Sequence, residues 1–201
     1  MKNSILTLAI AIATVLGVSQ SAFAGNKERE SVTVLSQISN INKIEIHGNV
    51  ELYLSDGMTD QVKVYNKYYS ENALVQSQNG VLKISSYKSE KLVVWVTVSN
   101  LSNLSVYDNA QVKSFGKLSA IDLSVKLYND ASAQLNLDAY SVNVNLKDHA
   151  KADIGGTINE AGLSYDRSSF LNISDLSSEH LVKKLNSDYN GNNDEDAVAA
   201  L

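Results

Sequence analysis

From Ile44 onward, apolar and polar residues alternate with a period of two, and the 3.6-residue period of a helix is nearly absent. Ile44-Glu45-Ile46 and Val50-Glu51-Leu52-Tyr53-Leu54 flank a turn at His47-Gly48-Asn49. Val62-Lys63-Val64-Tyr65 follows Ser55-Asp56-Gly57, and Val81-Leu82-Lys83-Ile84 follows the hairpin signal Asn79-Gly80. Leu92-Val93-Val94-Trp95-Val96-Thr97-Val98 is the most apolar stretch and is expected to be buried on both faces. One short helix is expected within Ser178–Leu185. The tail Asn186–Leu201, with Asp194-Glu195-Asp196, reads as a disordered acidic segment.

The second half repeats. Leu104-Ser105-Val106-Tyr107-Asp108-Asn109-Ala110 is echoed by Val125–Ala131, Val144–Ala150 and Gly162–Ser168, placing Ala110, Ala131, Ala150 and Ser168 at spacings of 21, 19 and 18. A repeat of about 20 residues holding two or three short strands suits one coil of a β-solenoid. Stacking the coils predicts one ladder of Leu123, Val142 and Leu163 and another of Val106, Leu127 and Leu146. The small residues fall just past a corner, where a narrow interior admits little volume. Before them runs the column Asp108, Asn129, Asp148 and Asp166, residue types that stabilise turns through their own backbone and tolerate left-handed conformations. The alternative is an antiparallel sandwich, which would not require the same turn chemistry to recur at near-constant spacing. The repeats are clearest at 104–173 within a single domain spanning 25–185.

Residues 1–24 read as a secretory signal peptide: Lys2, an apolar run from Ile5 to Val18, and an A-x-A site at Ala22-Phe23-Ala24. The run is too short to span a bilayer comfortably, for which about 20 residues are needed; an uncleaved anchor is the competing reading. After cleavage no second stretch approaches membrane length, so the mature chain is expected to be exported, periplasmic or at the cell surface, without a membrane span. The 201 residues carry 17 Lys+Arg against 22 Asp+Glu, a formal charge of −5, with no Cys and no Pro. That excludes disulfides, thiol catalysis and cysteine-ligated metal. The acidic balance without a basic run argues against nucleic acid.

Candidate chemistry is sparse. The column Asp108, Asn129, Asp148, Asp166 would place side chains about 5 Å apart on successive coils, a spacing that admits Ca²⁺ or paired carboxylates acting on a glycan. Its structural reading is turn formation, and no glycine–aspartate nonapeptide accompanies it. Asp148-His149 with Asp153 falls short of a zinc ligand set, and His47 and His149 read as exposed turn residues. No G-x-S-x-G occurs, and Gly155-Gly156 reads as a turn at a strand end. Tyr107, Tyr128 and Tyr165 occupy equivalent positions before the corners, interrupted by Lys147, and Tyr65, Tyr68 and Tyr69 form a second group. Stacked tyrosines offer flat amphipathic faces for sugar rings or a protein partner, which makes this the better candidate for a binding face; their structural reading is that tyrosine packs well on a pleated surface. No metal site and no cofactor is implied.

The run Gly48-Asn49-Val50-Glu51-Leu52-Tyr53-Leu54, then Ser55-Asp56-Gly57 and Val62-Lys63-Val64, with Asn79-Gly80 before Val81-Leu82-Lys83-Ile84, resembles the head GIN domain family, a group of unknown function described as autotransporter adhesins. The resemblance covers Ile38 to Ile173. It implies an all-β, right-handed parallel β-helix with extra antiparallel strands near the N-terminus. One departure is visible: family corners are commonly glycine-rich, whereas these read Asp-Asn-Ala, Asn-Asp-Ala and Asp-His-Ala. No catalytic residue carries over. The expectation is therefore a non-enzymatic, adhesin-like or envelope-associated binding protein whose partner is a glycan or a surface protein. Its alternatives are a polysaccharide lyase or hydrolase and a structural component of the envelope. The antiparallel strands and Ser178–Leu185 would cap the two ends, and an uncovered end would permit end-to-end oligomers.

Overall fold

A computed structural model describes residues 32–65 (except 36, 37 and 39) and 73–186. The expected signal peptide 1–24, Tyr68, Tyr69 and the acidic tail beyond Asn186 lie outside the described residues. The elements are β1 (Val32–Leu35), β2 (Lys43–Gly48), β3 (Val50–Asp56), β4 (Gln61–Tyr65), β5 (Ala73–Gln78), β6 (Val81–Ser86), β7 (Leu92–Val98), β8 (Asn103–Val106), β9 (Gln111–Ser114), β10 (Leu118–Leu127), β11 (Ser132–Leu146), β12 (Lys151–Tyr165), β13 (Phe170–Asn172) and β14 (Leu176–Leu185).

The alternation predicts an all-β chain, and all described elements are strands. The right-handed parallel β-helix is not the architecture they build. The fourteen strands are hydrogen-bonded into one sheet, a half-barrel of mixed parallel and antiparallel pairs. Its path runs β1-β4-β7-β3-β9-β11-β10-β8-β2-β6-β5, with β12 beside β11 and carrying β13 and β14. The pairs β1–β4, β4–β7 and β5–β6 are antiparallel and the others parallel. Short strands broken at each corner were expected, yet β11 and β12 each run 15 residues without interruption. The first part of β11 pairs with β9 and its last part with β10, so one strand serves both arms of the sheet. Period-two alternation reports the pairing faces but not where a strand ends, which is why the continuity was not legible.

The repeat itself is real pairing. Val106 sits beside Leu127, Leu127 beside Leu146, Leu146 beside Tyr165 and Tyr165 beside Leu185, all in parallel register. The Val106, Leu127 and Leu146 ladder is thus as expected, whereas Leu123 and Val142 continue to Ala161, and Leu163 stacks on Val144 instead. Ala110, Ala131 and Ala150 are fully buried at the narrow edge of the core. Apolar residues of both arms, from Ile44 and Ile46 to Leu52, Leu54, Val94 and Val96, merge into one cluster. Strand β7 alternates buried and half-buried positions rather than burying both faces, because β3 and β4 flank its edges and its outer face meets no second layer.

Two further expectations are corrected. Ser178–Leu185 is not a helix but most of β14, an edge strand on β12 that leaves Leu181, Val182 and Leu185 exposed. Gly155-Gly156 lies inside β12, where Gly156 takes φ +102 and its N–H donates to the Asp175 carbonyl (3.0 Å). A Cβ on Gly156 would overlap the Leu137 backbone, whereas one on Gly116 (φ +81) would meet open space. Gly156→Ala should therefore lower unfolding free energy by at least about 2 kcal/mol, against about 1 kcal/mol for Gly116→Ala. Urea denaturation of both variants measures the difference.

Candidate functional site

Each step of the parallel ladder ends in a residue that leaves the strand and hands its backbone N–H to the strand before it. Tyr107 donates to Ile46 O (2.9 Å), Tyr128 to Val106 O (3.0 Å), Lys147 to Leu127 O (3.0 Å), Asp166 to Leu146 O (3.1 Å) and Asn186 to Tyr165 O (2.8 Å). These bonds fix the side chains of His47, Tyr107, Tyr128 and Lys147 above one another at the strand spacing. The His47 and Tyr107 rings stack with centroids 4.4 Å apart and 1° between planes, and Tyr107 and Tyr128 with 4.8 Å and 2°. Lys147 Nζ lies 5.9 Å from the Tyr128 ring centroid. The result is a half-buried aromatic edge closed by a cation.

The structure places Tyr107 and Tyr128 together and takes Tyr165 away from them. Tyr165 pairs with Leu146 and packs against the core, so it belongs to the inward ladder. The slip is one residue: the turn bond that joins Ala110 N–H to Tyr107 O, Ala131 to Tyr128 and Ala150 to Lys147 joins Ser169, not Ser168, to Asp166. His47 is the member that sequence reading missed, set aside as a turn residue. Its Nε2 sits 3.1 Å from Glu45 Oε1. That hydrogen bond, with Lys83 and Lys43 nearby, holds the Glu45 carboxyl below its ordinary value despite the opposing effect of partial burial. Burial pushes the Tyr107 phenol up, as do the neighbouring Tyr128 and Glu45.

The polar column does turn work. Asp108, Asn129 and Asp148 adopt φ of 61, 60 and 59°, the left-handed region. A residue there points its N–H away from its own turn, and the side chain of the next step receives it. Asn129 N–H donates to Asp148 Oδ2 (3.1 Å), Asp148 N–H to Asp166 Oδ2 (3.1 Å), and Gly48 N–H to Asp108 Oδ2 (2.9 Å). Asp166 also accepts from Asn186 Nδ2 (2.9 Å). Asp166 itself stands one place earlier, in the Tyr107 and Tyr128 row. Asp153 is engaged by Asn172 Nδ2 (3.0 Å) and does not join Asp148 and His149. Among the described residues, no three His, Asp or Glu side chains are grouped to hold a metal ion.

A second aromatic group lies on the outer face of the other arm. Tyr53 and Trp95, paired across β3 and β7, stack at 5.1 Å, and Phe115 meets Trp95 edge-on at 5.2 Å. Glu51 accepts from Lys113 Nζ (2.8 Å) and Tyr53 Oη (3.0 Å), with Lys91 Nζ at 3.7 Å. The Lys113 bond is the main reason its carboxyl titrates below the ordinary range, and the same contact raises Lys113. Tyr53 and Trp95 sit at alternate, outward positions of predicted strands. That parity was the available signal, but which strands pair was not readable. Tyr65 lies across from Val93 on the same face.

Two outcomes follow from these contacts. Asp148→Ala removes an acceptor and puts alanine in the left-handed region, so it should cost about 2 kcal/mol, whereas Asp148→Asn should cost under about 1 kcal/mol, by thermal or urea unfolding. Glu51 has a folded-state value below its unfolded one, so its contribution is complete above the ordinary glutamate value of about 4.3 and is lost as pH falls through the lower folded value. The melting-temperature gap between wild type and Glu51→Gln should accordingly narrow on acidification below about pH 4, read by melting curves across pH.

The fold is shared with solved structures. A "putative adhesin" from Parabacteroides distasonis superposes with a TM-score of 0.58 at 15% identity, covering 77% of each chain. Another from Parabacteroides merdae gives 0.55 at 16%, again 77% of each. A "putative lipid binding protein" from P. distasonis gives 0.54 at 9%, covering 77% of this chain and 78% of the other. No functionally curated protein matches the chain. The family described as "Putative auto-transporter adhesin, head GIN domain" matches residues 40–199, most of the sequence and every strand from β2 to β14: the chain belongs to the head GIN domain family.

Proposed function

We propose that this protein is an exported, non-enzymatic binding module of the adhesin-like kind, and that it engages a glycan or an envelope protein through the stacked edge of His47, Tyr107 and Tyr128. The observation that carries this reading is the edge itself. Three flat rings held parallel at 4.4 and 4.8 Å by backbone hydrogen bonds present a rigid apolar strip with polar tips. Such a strip costs little entropy on contact, because its rings are already ordered. Membership of an adhesin-like family supports both the binding role and export. Tyr165 is no part of this edge, and Asp108, Asn129, Asp148 and Asp166 are assigned to the turns.

The carboxylates support binding over catalysis. Asp108, Asp148 and Asp166 are committed as acceptors of backbone N–H groups, and Glu45 and Glu51 are held ionised by His47 and Lys113. A general acid must hold a proton near neutral pH, which these contacts oppose. The test is a glycan array probed with the purified chain, with reducing-sugar release assayed on every bound glycan. Binding without product is expected. Tyr107→Ala with Tyr128→Ala should weaken it about tenfold or more, equivalent to about 1.4 kcal/mol. Product release would overturn the non-enzymatic reading, and undiminished binding by the double variant would overturn the edge.

A further inference from the structure

Resting on that reading, we infer that the outer face of β10, β11, β12 and β14 carries a distinct site for an anionic glycan, held between Lys126 and Lys184. Outward residues of these strands fall in rows. Lys126, Asn145, Ser164 and Lys184 are neighbours in successive strands, and Ser124, Asn143, Gly162 and Val182 form the row beside them. Gly162 lacks a side chain, so the face sinks there into a hollow of about 330 Å³. A Cβ at Gly162 would come within 2.6 Å of Asn143 Oδ1, so the depression exists because that position is glycine.

The chemistry of the hollow is one-sided. Its only charged lining residues are the two lysines, three strand steps or about 14 Å apart. Neither has an ion-pair partner among the described residues, in a chain whose formal charge is −5. The carboxylates nearest in register are Glu45 in the Lys126 row and Asp166 in the row beyond Ser164, each already bonded, to His47 and to Asp148 N–H and Asn186 respectively. Neither they nor Asp122 and Glu160 line the hollow. Between the lysines stand amides and hydroxyls suited to sugar hydroxyl groups. Asn145 Oδ1 is buried there with no hydrogen-bond partner among the described residues. An orphaned acceptor is a cost that a donor on a bound ligand removes, since the amide can turn about its terminal bond. The Lys126 row continues through Ser105 and Glu45 to Lys83, where a second hollow of about 320 Å³ opens beside Gln76 and Gln78. A polymer crossing the strands would meet both, passing a Glu45 carboxylate already paired with Lys43, His47 and Lys83, and this favours a chain of acidic sugars over a small anion.

The test is equilibrium binding of the purified full chain to polygalacturonate and heparin, to neutral dextran, and to phosphatidylglycerol vesicles. At least one acidic polymer should bind at low salt and be released at 1 M salt, where screening reaches within about 3 Å. Lys126→Gln with Lys184→Gln should weaken that binding at least tenfold, and Gly162→Leu should do so by filling the hollow without changing charge. Lys117→Gln, an exposed lysine outside the face, should leave it unchanged, and melting curves check that each variant folds. Acidic-polymer binding that ignores both the lysines and Gly162 overturns the site. Binding only to neutral glycans, lost on changing Tyr107 and Tyr128, also overturns it while leaving the aromatic edge standing. Lysine-dependent binding to vesicles alone replaces the glycan with a lipid headgroup, and no binding to any polymer here or on the array removes both readings.

Discussion

Parallel pairing at a fixed offset is the constraint from which the rest of this molecule follows. β8, β10, β11, β12 and β14 each lie beside the strand one repeat away, so every inward residue rests on an inward residue of the next strand. A shift of a single position would turn every side chain to the opposite face. The corners are what prevent that shift. Left-handed residues at Asp108, Asn129 and Asp148 reverse the chain in the least length, and the following alanines let the two arms approach closely. The last step shows which influence dominates. The turn motif Asp166-Arg167-Ser168 aligns with its predecessors at a spacing of 18, yet the backbone pairs Tyr165 with Leu146 and places Ser169 at the turn bond. Keeping Leu163 and Tyr165 on the inward ladder decides the register, and the corner moves with it: residues 166–169 take the place of 147–150 at the same length.

The same register orders the outside. A side chain that leaves the sheet at one step stands next to its counterpart at the next, so surface chemistry comes in rows rather than in isolated groups. Stacked rings at His47, Tyr107 and Tyr128 are one such row, and the lysine, asparagine and serine row across β10 to β14 is another. Carboxylates in rows would repel one another. Several are placed where a backbone N–H or a lysine meets them: Asp148 at Asn129, Asp166 at Asp148, Glu51 at Lys113. These acids therefore stabilise corners and strands.

Local features were legible in the sequence and non-local ones were not. The alternation, the buried alanines and the turn chemistry of Asp108, Asn129 and Asp148 are each encoded within a dozen residues, and the 20-residue recurrence within a few tens. Strand continuity is not, because Leu137-Asp138-Ala139-Tyr140-Ser141 reads equally as a strand or as the end of one; pairing to β10 and β12 on both sides makes it strand. Ser178–Leu185 suggests a helix on composition, with Glu, Leu and Lys in favourable places, but the open edge of β12 offers hydrogen bonds that outweigh that weak propensity. Tyr165 looked equivalent to Tyr107 by motif and is not, because motif spacing and ladder spacing differ by one. The contacts of His47 with Tyr107 and of Tyr53 with Trp95 join residues some 60 and 42 positions apart. No single sequence states which distant strands meet.

This coupling of inside to outside limits how such a surface can specialise. An enzyme cleft needs loops that rise above the sheet and side chains free to change protonation during a reaction. In the repeats each corner is four residues long, and the side chains of Asp108, Asp148 and Asp166 are already bonded to the neighbouring turn. Inserting residues at one corner would misalign the ladder on which Val106, Leu127 and Leu146 depend. Substitution of outward residues carries no such penalty, since their neighbours in the row do not support the core. The fold therefore varies most easily as a flat surface with a pitch of about 4.8 Å between equivalent groups. A ligand that extends across several strands gains from each step in turn, so individually weak contacts add into useful affinity without any one of them being deeply enclosed.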